Sequence, residues 1–270
     1  MIEVVPYNEL VTCVKTGSDM NGSVVMWTYA YLIGDTLLDA GCPNAAKEIE
    51  EFAANNPIRR IFVSHTHEDH LGGCAVLTPK ADIYATPLVA EALRSPESLP
   101  DFFVKVWGQP EPVPEVLPMP EKFEIGELSL ELLSLPGHTD HMVGFYEKKR
   151  GWLFSADAVP LPSEKQLAMP DENVTEMIAT MEEIQNLELN ILFDGHRGPV
   201  EAPKEYIQKR IDYLKNLQSS IKELHSQGQT IPEIQKNLGI EGPWYMDMTE
   251  GRFIIDHLIR SLIFDEVSPS

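Results

Sequence analysis

The sequence predicts an α/β (α+β) fold, strand-rich over residues 1–200 and helix-rich over 201–270. Three observations lead there. Short apolar runs of strand length recur through the first 200 residues, separated by Gly and Pro breaks. Several of these runs end directly in His or Asp, as expected where an α/β fold carries polar groups on the loops at its strand ends. After residue 200 the apolar residues fall at helical spacing instead. A chain of 270 residues accommodates one large domain, or one of about 200 residues with a small appendage.

Taken in order, residues 1–42 read as strands and tight turns. Residues 11–16 are rich in β-branched side chains, 17–22 form a turn, and 24–33 are apolar and aromatic until Gly34 and Asp35 break them. Residues 36–41 read as a buried strand ending in a turn. Pro43 opens a helix over 44–55 that Pro57 stops. A strand follows at 59–63, then a strand at 83–85 and a helix at 87–93. The proline-rich stretch 95–122 is expected to be an irregular surface excursion. Residues 128–135 alternate as a half-buried strand, 143–146 and 152–155 form a hairpin, and 191–193 is a last short strand. The tail holds an amphipathic helix over 203–227, with Tyr206, Ile207, Ile211, Leu214, Leu217, Ile221 and Leu224 on one stripe and Gly228 as its cap. Two more helices are expected at 230–238 and 250–263.

Composition narrows the function. The formal net charge is −21, which would repel a phosphate backbone and argues against a general nucleic-acid binder. Residues 1–200 carry 13 Lys+Arg against 31 Asp+Glu, and 201–270 carry 8 against 11, so the acidity is concentrated in the first part. No apolar stretch reaches about 18 residues, so no membrane span is expected. The first residues lack the basic-then-apolar layout of a signal peptide. Cys13, Cys42 and Cys74 are isolated and odd in number, which fits a reducing, cytoplasmic setting; Cys42 and Cys74 read as small buried residues rather than ligands.

Four segments carry the chemistry: His65-Thr66-His67-Glu68-Asp69-His70, His138-Thr139-Asp140-His141, Ser155-Ala156-Asp157 and Asp194-Gly195-His196. They hold six of the chain's eight histidines. Imidazole and carboxylate are the ligands zinc takes when cysteine is absent. Four ligand-type side chains within six residues share one loop and must converge on a small volume. A catalytic zinc usually keeps three protein ligands, so five His and two Asp suffice for two metals with one carboxylate between them. His138 and His141 are three apart, and spacing alone does not choose between them.

This pattern, H-x-H-x-D-H, then G-H-T, then Asp, then G-H, resembles the metallo-β-lactamase-fold superfamily of hydrolases over residues 1–200. The resemblance implies an αββα sandwich with the site at one edge, and a C-terminal helical appendage over 201–270. It puts His65, His67 and His138 on one metal, Asp69, His70 and His196 on the other, and Asp157 between the two. Within the superfamily the chain is most similar to the glyoxalase II and β-lactamase-like protein 2 types, which keep Asp69 and add helices after the last ligand. The tail's 229–239 and 249–262 segments resemble the winged-helix-like appendage of the second type. N-acyl homoserine lactonases of this fold often have Tyr three residues after the bridging Asp, where this chain has Pro160. Diiron reductases favour H-x-E-x-D-H, where this chain has His67.

The implied activity is that of a metal-dependent hydrolase. Two metal ions, zinc or alternatively iron or manganese, hold a bridging hydroxide that attacks an ester-like bond, a thioester or lactone. Asp69 holds the hydroxide or shuttles a proton. Phosphodiester cleavage of RNA and iron-dependent oxidation are the alternatives. The expected partner is a small-molecule substrate, anionic if Arg197 holds it; neither nucleic acid nor membrane is expected, and a dimer is compatible with the sequence. His141 is expected to hold a ligand by a hydrogen bond, and Asp39 to orient His65 or His67 or to cap its turn. Trp244 and Tyr245, with Met246 and Met248, are expected to pack the tail onto the main domain rather than to line a substrate entrance.

Overall fold

A computed structural model describes residues 1–19, 22–161 and 167–264. The turn expected at 17–22 lies partly outside them. The first sheet comprises β1 (Ile2–Pro6), β2 (Val11–Thr16), β3 (Thr28–Ile33), β4 (Thr36–Leu38), β5 (Arg60–Phe62), β6 (Asp82–Ala85) and β7 (Leu117–Pro118), in that spatial order. The second runs β13–β12–β11–β10–β9–β8, built from β8 (Lys122–Ile125), β9 (Leu128–Ser134), β10 (Val143–Glu147), β11 (Trp152–Ala156), β12 (Ile191–Asp194) and β13 (Gly198–Val200).

Alternation along the strands makes the sandwich. Tyr31, Ile33, Leu38 and Phe62 of the first sheet face Phe123, Leu130, Phe145, Phe154 and Phe193 of the second. Phe62 stacks on Phe123 at 3.8 Å between centroids, and Phe154 on Phe193 at 4.4 Å. The opposite residues of the same strands, Leu32, Leu37 and Ile61, face outward onto helices α1 (Ala46–Asn55), α3 (Cys74–Leu77), α4 (Pro87–Arg94) and α5 (Asp101–Val106). Helix α2 (Glu68–Leu71) is one turn inside the His-rich loop.

The outer face of the second sheet is covered by α6 (Val174–Gln185), α7 (Pro203–Ser226), α8 (Ile231–Leu238) and α9 (Ile255–Phe264), all joined in one apolar cluster with Leu153 and Leu192. The fold is therefore mixed α/β with two facing sheets and helices outside each. Among the described residues no helix is long and apolar enough to cross a membrane.

Several elements differ from the sequence reading: α2, α3, β8 and β13 form where no element was assigned, so the strand over 191–194 is not the last. The stretch 95–122 is not wholly irregular: Pro100 precedes α5, and β7 adds a short edge strand. Prolines there sit at helix starts and at a sheet edge, where a missing N–H is tolerated. Helix α6 occupies a region with no assigned element, although Asn173 caps it by accepting from the Glu176 N–H at 3.0 Å. Helix α9 begins at Ile255, not 250, because Glu250 and Gly251 adopt left-handed backbone, with φ of 52° and 83°. Helix α8 starts one residue late, with Thr230 as its cap in a box with Glu233.

Strand direction places the chemistry. β4, β5 and β6 are parallel. β9 and β11 both pair antiparallel with β10, and β12 pairs parallel with β11, so β9, β11 and β12 point one way. The loops after β4, β5, β9, β11 and β12 gather at one edge of the sandwich.

Candidate metal centre

Each of those loops delivers side chains to one buried cluster. The loop after β5 carries His65, His67, Asp69 and His70; His138 follows β9, Asp157 follows β11, and His196 follows β12. One ligand-type atom each from His65, His67, His138 and Asp157 lie within 4.8 Å of one another, as do those of Asp69, His70 and His196. Asp157 stands between the groups: its Oδ2 lies 3.4 Å from His138 Nε2 and 3.1 Å from His196 Nε2, and its Oδ1 lies 3.4 Å from His70 Nε2.

Local backbone explains the convergence. The β11–β12 register shifts between Phe154 and Ala156, and Ala156 takes a φ of 45°, turning the chain so that Asp157 enters the cluster. Gly195 lets the His196 turn pass over it, because a Cβ there would lie 2.2 Å from Asp157 Oδ1. Gly137, with φ of 123°, fits against α6 in the same way, since a Cβ would lie 2.4 Å from the Met177 nitrogen. Helix α6 pins this loop: Thr180 donates to the Pro136 carbonyl at 2.7 Å, and Asn173 N–H to that of Gly137 at 2.8 Å.

Outer contacts orient the cluster. Asp39 ends β4 with φ of 60° and touches His70 Nδ1 at 2.8 Å, not His65 or His67. Its carboxylate also accepts from Ser64 N–H and Oγ at 2.8 Å each, and Ser64 Oγ lies 2.9 Å from His65 Nδ1. Asp39 thus reaches His65 only through Ser64, because β4 and β5 lie side by side and bring their ends together. Thr28 donates to Asp69 Oδ2 at 2.7 Å. Glu172 accepts from His138 Nδ1 at 3.1 Å, and the neighbouring Asp171 lies 3.7 Å from His67 Nε2.

The site attracts positive charge. Burial pushes the His65 imidazole well below its ordinary range, and His70 and His67 add to that. Burial acts the same way on His138 and His196, but Asp157 outweighs it, with Glu172 helping at His138; they rise to about 9 and about 10. Burial of His70 is overridden by Asp157, Asp69 and Asp39, and it sits well above its usual value. Burial would raise the Asp157 carboxyl, yet His196 and His70 hold it well below the carboxylate range. His65 Nε2, His67 Nε2, His70 Nε2 and Asp157 Oδ1 are buried with no hydrogen-bond partner. Buried polar atoms left unpaired are costly, and nitrogen and oxygen donors aimed at one another suit a bound cation. The residues present therefore fit metal.

The remaining predicted residues sit further out. His141 contacts Asp140 at 2.7 Å and Thr66 Oγ1 at 3.2 Å. Arg197 is exposed, with its guanidinium 5.6 Å from the Tyr206 ring. Cys13, Cys42 and Cys74 are free and buried, and burial pushes the thiols of Cys13 and Cys42 up to about 11. The Trp244–Tyr245 pair splits between the two expectations: Tyr245 stacks on Phe102 of α5 at 5.7 Å and lines the site, whereas Trp244 is 80% exposed at its mouth and does not pack the core. Tyr245 and Met246 pack against the apolar cluster of the tail, whereas Met248, like Trp244, is exposed. Sequence reasoning missed Thr28, Ser64, Asp171 and Glu172. Only the last two had a nearby signal, the Asn173 cap that begins α6.

Two cavities open onto the cluster, one of about 220 Å³ lined by Met26, Phe102, Phe103, Trp107, Tyr245 and Phe253, and one of about 410 Å³ past Pro160, Leu161 and Leu167. A third, of about 720 Å³, runs past His67, Glu68 and Arg252.

With that geometry in view, the sequence profile described as "Metallo-beta-lactamase superfamily" matches residues 28–202. The chain is 27% identical over 139 residues to a hydroxyacylglutathione hydrolase of Legionella pneumophila (strain Paris), covering 50% of this chain and 47% of that one. It is 25% identical over 234 residues to a beta-lactamase-like protein 2 homolog of Caenorhabditis elegans, covering 80% and 72%. The chain spans about half the length of the first of these relatives. In fold it is similar to a metallo-beta-lactamase family protein of Thermus thermophilus, with a TM-score of 0.64 at 16% identity over 92% of each chain. A metallo-beta-lactamase from Pontibacter korlensis gives 0.61 at 17%, over 80% of this chain and all of that one.

Proposed function

The chain belongs to the metallo-beta-lactamase superfamily, and from that premise we propose that it is a dinuclear metal-dependent hydrolase, most suited to zinc, that cleaves an ester-like bond such as a thioester or lactone. The observation that carries this reading is the convergence of seven His and Asp side chains, five buried and His138 and His196 half-buried, several with unpaired ligand atoms, at the open edge of the sandwich. His65, His67 and His138 would hold one ion and Asp69, His70 and His196 the other, with Asp157 shared; its two oxygens already face histidines of both groups. Two bound ions would supply a hydroxide nucleophile near neutral pH and a Lewis acid for the developing oxyanion.

The rest falls to the chain's own side chains. Asp39 and Glu172 hold His70 and His138 by their outer ring nitrogens, fixing which nitrogen faces inward. Thr28 fixes one oxygen of Asp69, and Asp69 carries a proton from the attacking water to the leaving group. Water adds across the acyl bond: its oxygen ends on the carbonyl carbon as a carboxylate, one proton ends on the thiol or alcohol, and the other is released to solvent. The hydroxyacylglutathione hydrolase relatives support acyl chemistry by their name. Residues 1–200 carry all the ligand-type side chains of the cluster, and residues 201–270 act as an extension that shapes access to it. Three free, buried cysteines support a reducing, cytoplasmic setting.

The test is elemental analysis of protein purified without added metal or chelator, followed by assay on thioesters and lactones. About two metal ions per chain are expected, and His67→Ala should lose metal and nearly all turnover. Full turnover by chelator-stripped protein would overturn the reading.

A further inference from the structure

Resting on the hydrolase reading, we propose that the site selects a neutral substrate with an apolar acyl group, seated in the cavity that the tail segment 243–253 walls in beside the cluster. The 220 Å³ cavity has His67, Asp69, His138, Asp157 and His196 at its floor, so a group filling it ends at the reacting position. Apart from the Arg252–Glu68 ion pair, its other walls are aromatic and aliphatic, the lining that binds apolar groups by removing them from water.

Charge points the same way. Among the described residues, Arg252 is the one Lys or Arg lining the three cavities at the cluster. Its guanidinium is already engaged, 3.3 Å from the buried carboxylate of Glu68 and 4.6 Å over the Phe103 ring. Arg197 lines none of them. Glu68 lines this cavity, and Asp171, Glu172 and Asp194 line the two adjoining ones, so an anionic group held away from the metal positions meets carboxylates rather than a free side-chain cation. A phosphodiester or a glutathione conjugate is disfavoured on this ground.

The tail segment is fastened to its own chain's site. Ile254 and Ala168 exchange backbone hydrogen bonds at 3.3 and 3.2 Å, Tyr245 stacks on Phe102, and Phe253 packs on Phe103 at 5.6 Å. The tail's share of the wall, Trp244, Tyr245, Arg252 and Phe253, lies outside the 28–202 stretch matched to the family, whereas Phe102, Phe103 and Trp107 lie within it, so selectivity is carried in part by residues the family match does not cover.

The experiment uses the full metal-loaded chain and has two readouts. In the first, thioesters of a neutral thiol with acyl chains of increasing length are compared with the same acyl groups on glutathione. The expected result is a kcat/KM that climbs about fourfold per methylene until the cavity is full, and a preference for the neutral series. In the second, neutral alkyl methyl ketones, which cannot be hydrolysed, are titrated while the fluorescence of Trp107 and Trp244 is followed, with affinity expected to climb with chain length. Met26→Ser, at an exposed position that leaves both tryptophans in place, should flatten both profiles, and Trp244→Ala should flatten the first, while Arg252→Gln should not improve use of the glutathione series. Hydrolysis with a flat profile, or with glutathione thioesters preferred, would overturn the apolar-acyl proposal and leave the hydrolase reading standing. Chain-length-dependent ketone binding without any hydrolysis would do the reverse.

Discussion

At the residue scale the site depends on groups that touch no substrate. Gly195 is one. Any side chain there collides with Asp157 Oδ1, the carboxylate facing both ligand groups. Gly195→Ala is expected to keep the fold, read by circular dichroism, while its metal content falls below half that of the parent. An unchanged metal content would mean that the His196 turn shifts freely. Glu172 is another, because it holds His138 by its outer nitrogen and is itself fixed by the Met169 N–H at 3.0 Å. Outer partners of ligand histidines typically matter about 10–100-fold in metal affinity. Glu172→Gln should weaken affinity by that order in chelator competition, with Glu172→Asp recovering part of it.

At the element scale, the second sheet owes its outer cover to α6, α7 and α9. Ile211 and Leu214 of α7 are buried against this cluster, and Ser261 of α9 accepts from the Val174 N–H at the start of α6 at 2.6 Å. The tail helices and the site are thereby linked, since α6 also pins the Gly137–His138 loop. Ile211→Ala should cost about 2–5 kcal/mol in urea unfolding, the usual range for emptying a buried aliphatic site. Metal stoichiometry at saturating metal should stay unchanged, because Ile211 lies on the face of the sheet away from the cluster. This link was not legible from the sequence: α7 shows an apolar stripe, but a stripe does not name what it covers. Helix α6 has no place in the sequence reading, although Val174, Met177, Ile178, Met181 and Ile184 fall at helical spacing after the Asn173 cap.

At the scale of the whole molecule, a net charge of −21 acts on every part of the fold. Like charges repel over distances set by the Debye length, about 30 Å at 0.01 M salt and about 8 Å at 0.15 M. Raising sodium chloride across that range should raise the Tm by a few degrees as the self-repulsion is screened. A flat or falling Tm would show that local ion pairs outweigh the global charge. The same acidity frames the site, where the histidines offset the Asp39, Asp69 and Asp157 carboxylates that would otherwise repel one another.

The sequence by itself determined the residue types of the cluster, the strands that carry them and the change to helix after 200. Those features are local: a ligand-rich loop directly after a short apolar strand is legible from spacing alone. The αββα layering came from the resemblance of H-x-H-x-D-H, G-H-T, Asp and G-H to the superfamily, not from the residues themselves. Only the tertiary structure decided that Asp39 serves His70 rather than His65 or His67, that Asp171 and Glu172 reach the histidines, and that the tail walls its own chain's cavity. Each of these joins residues tens to nearly two hundred positions apart, as Arg252 and Glu68 do. Such contacts arise when parallel strand ends meet at one edge and a helix packs across them, and no local pattern in the chain records that meeting.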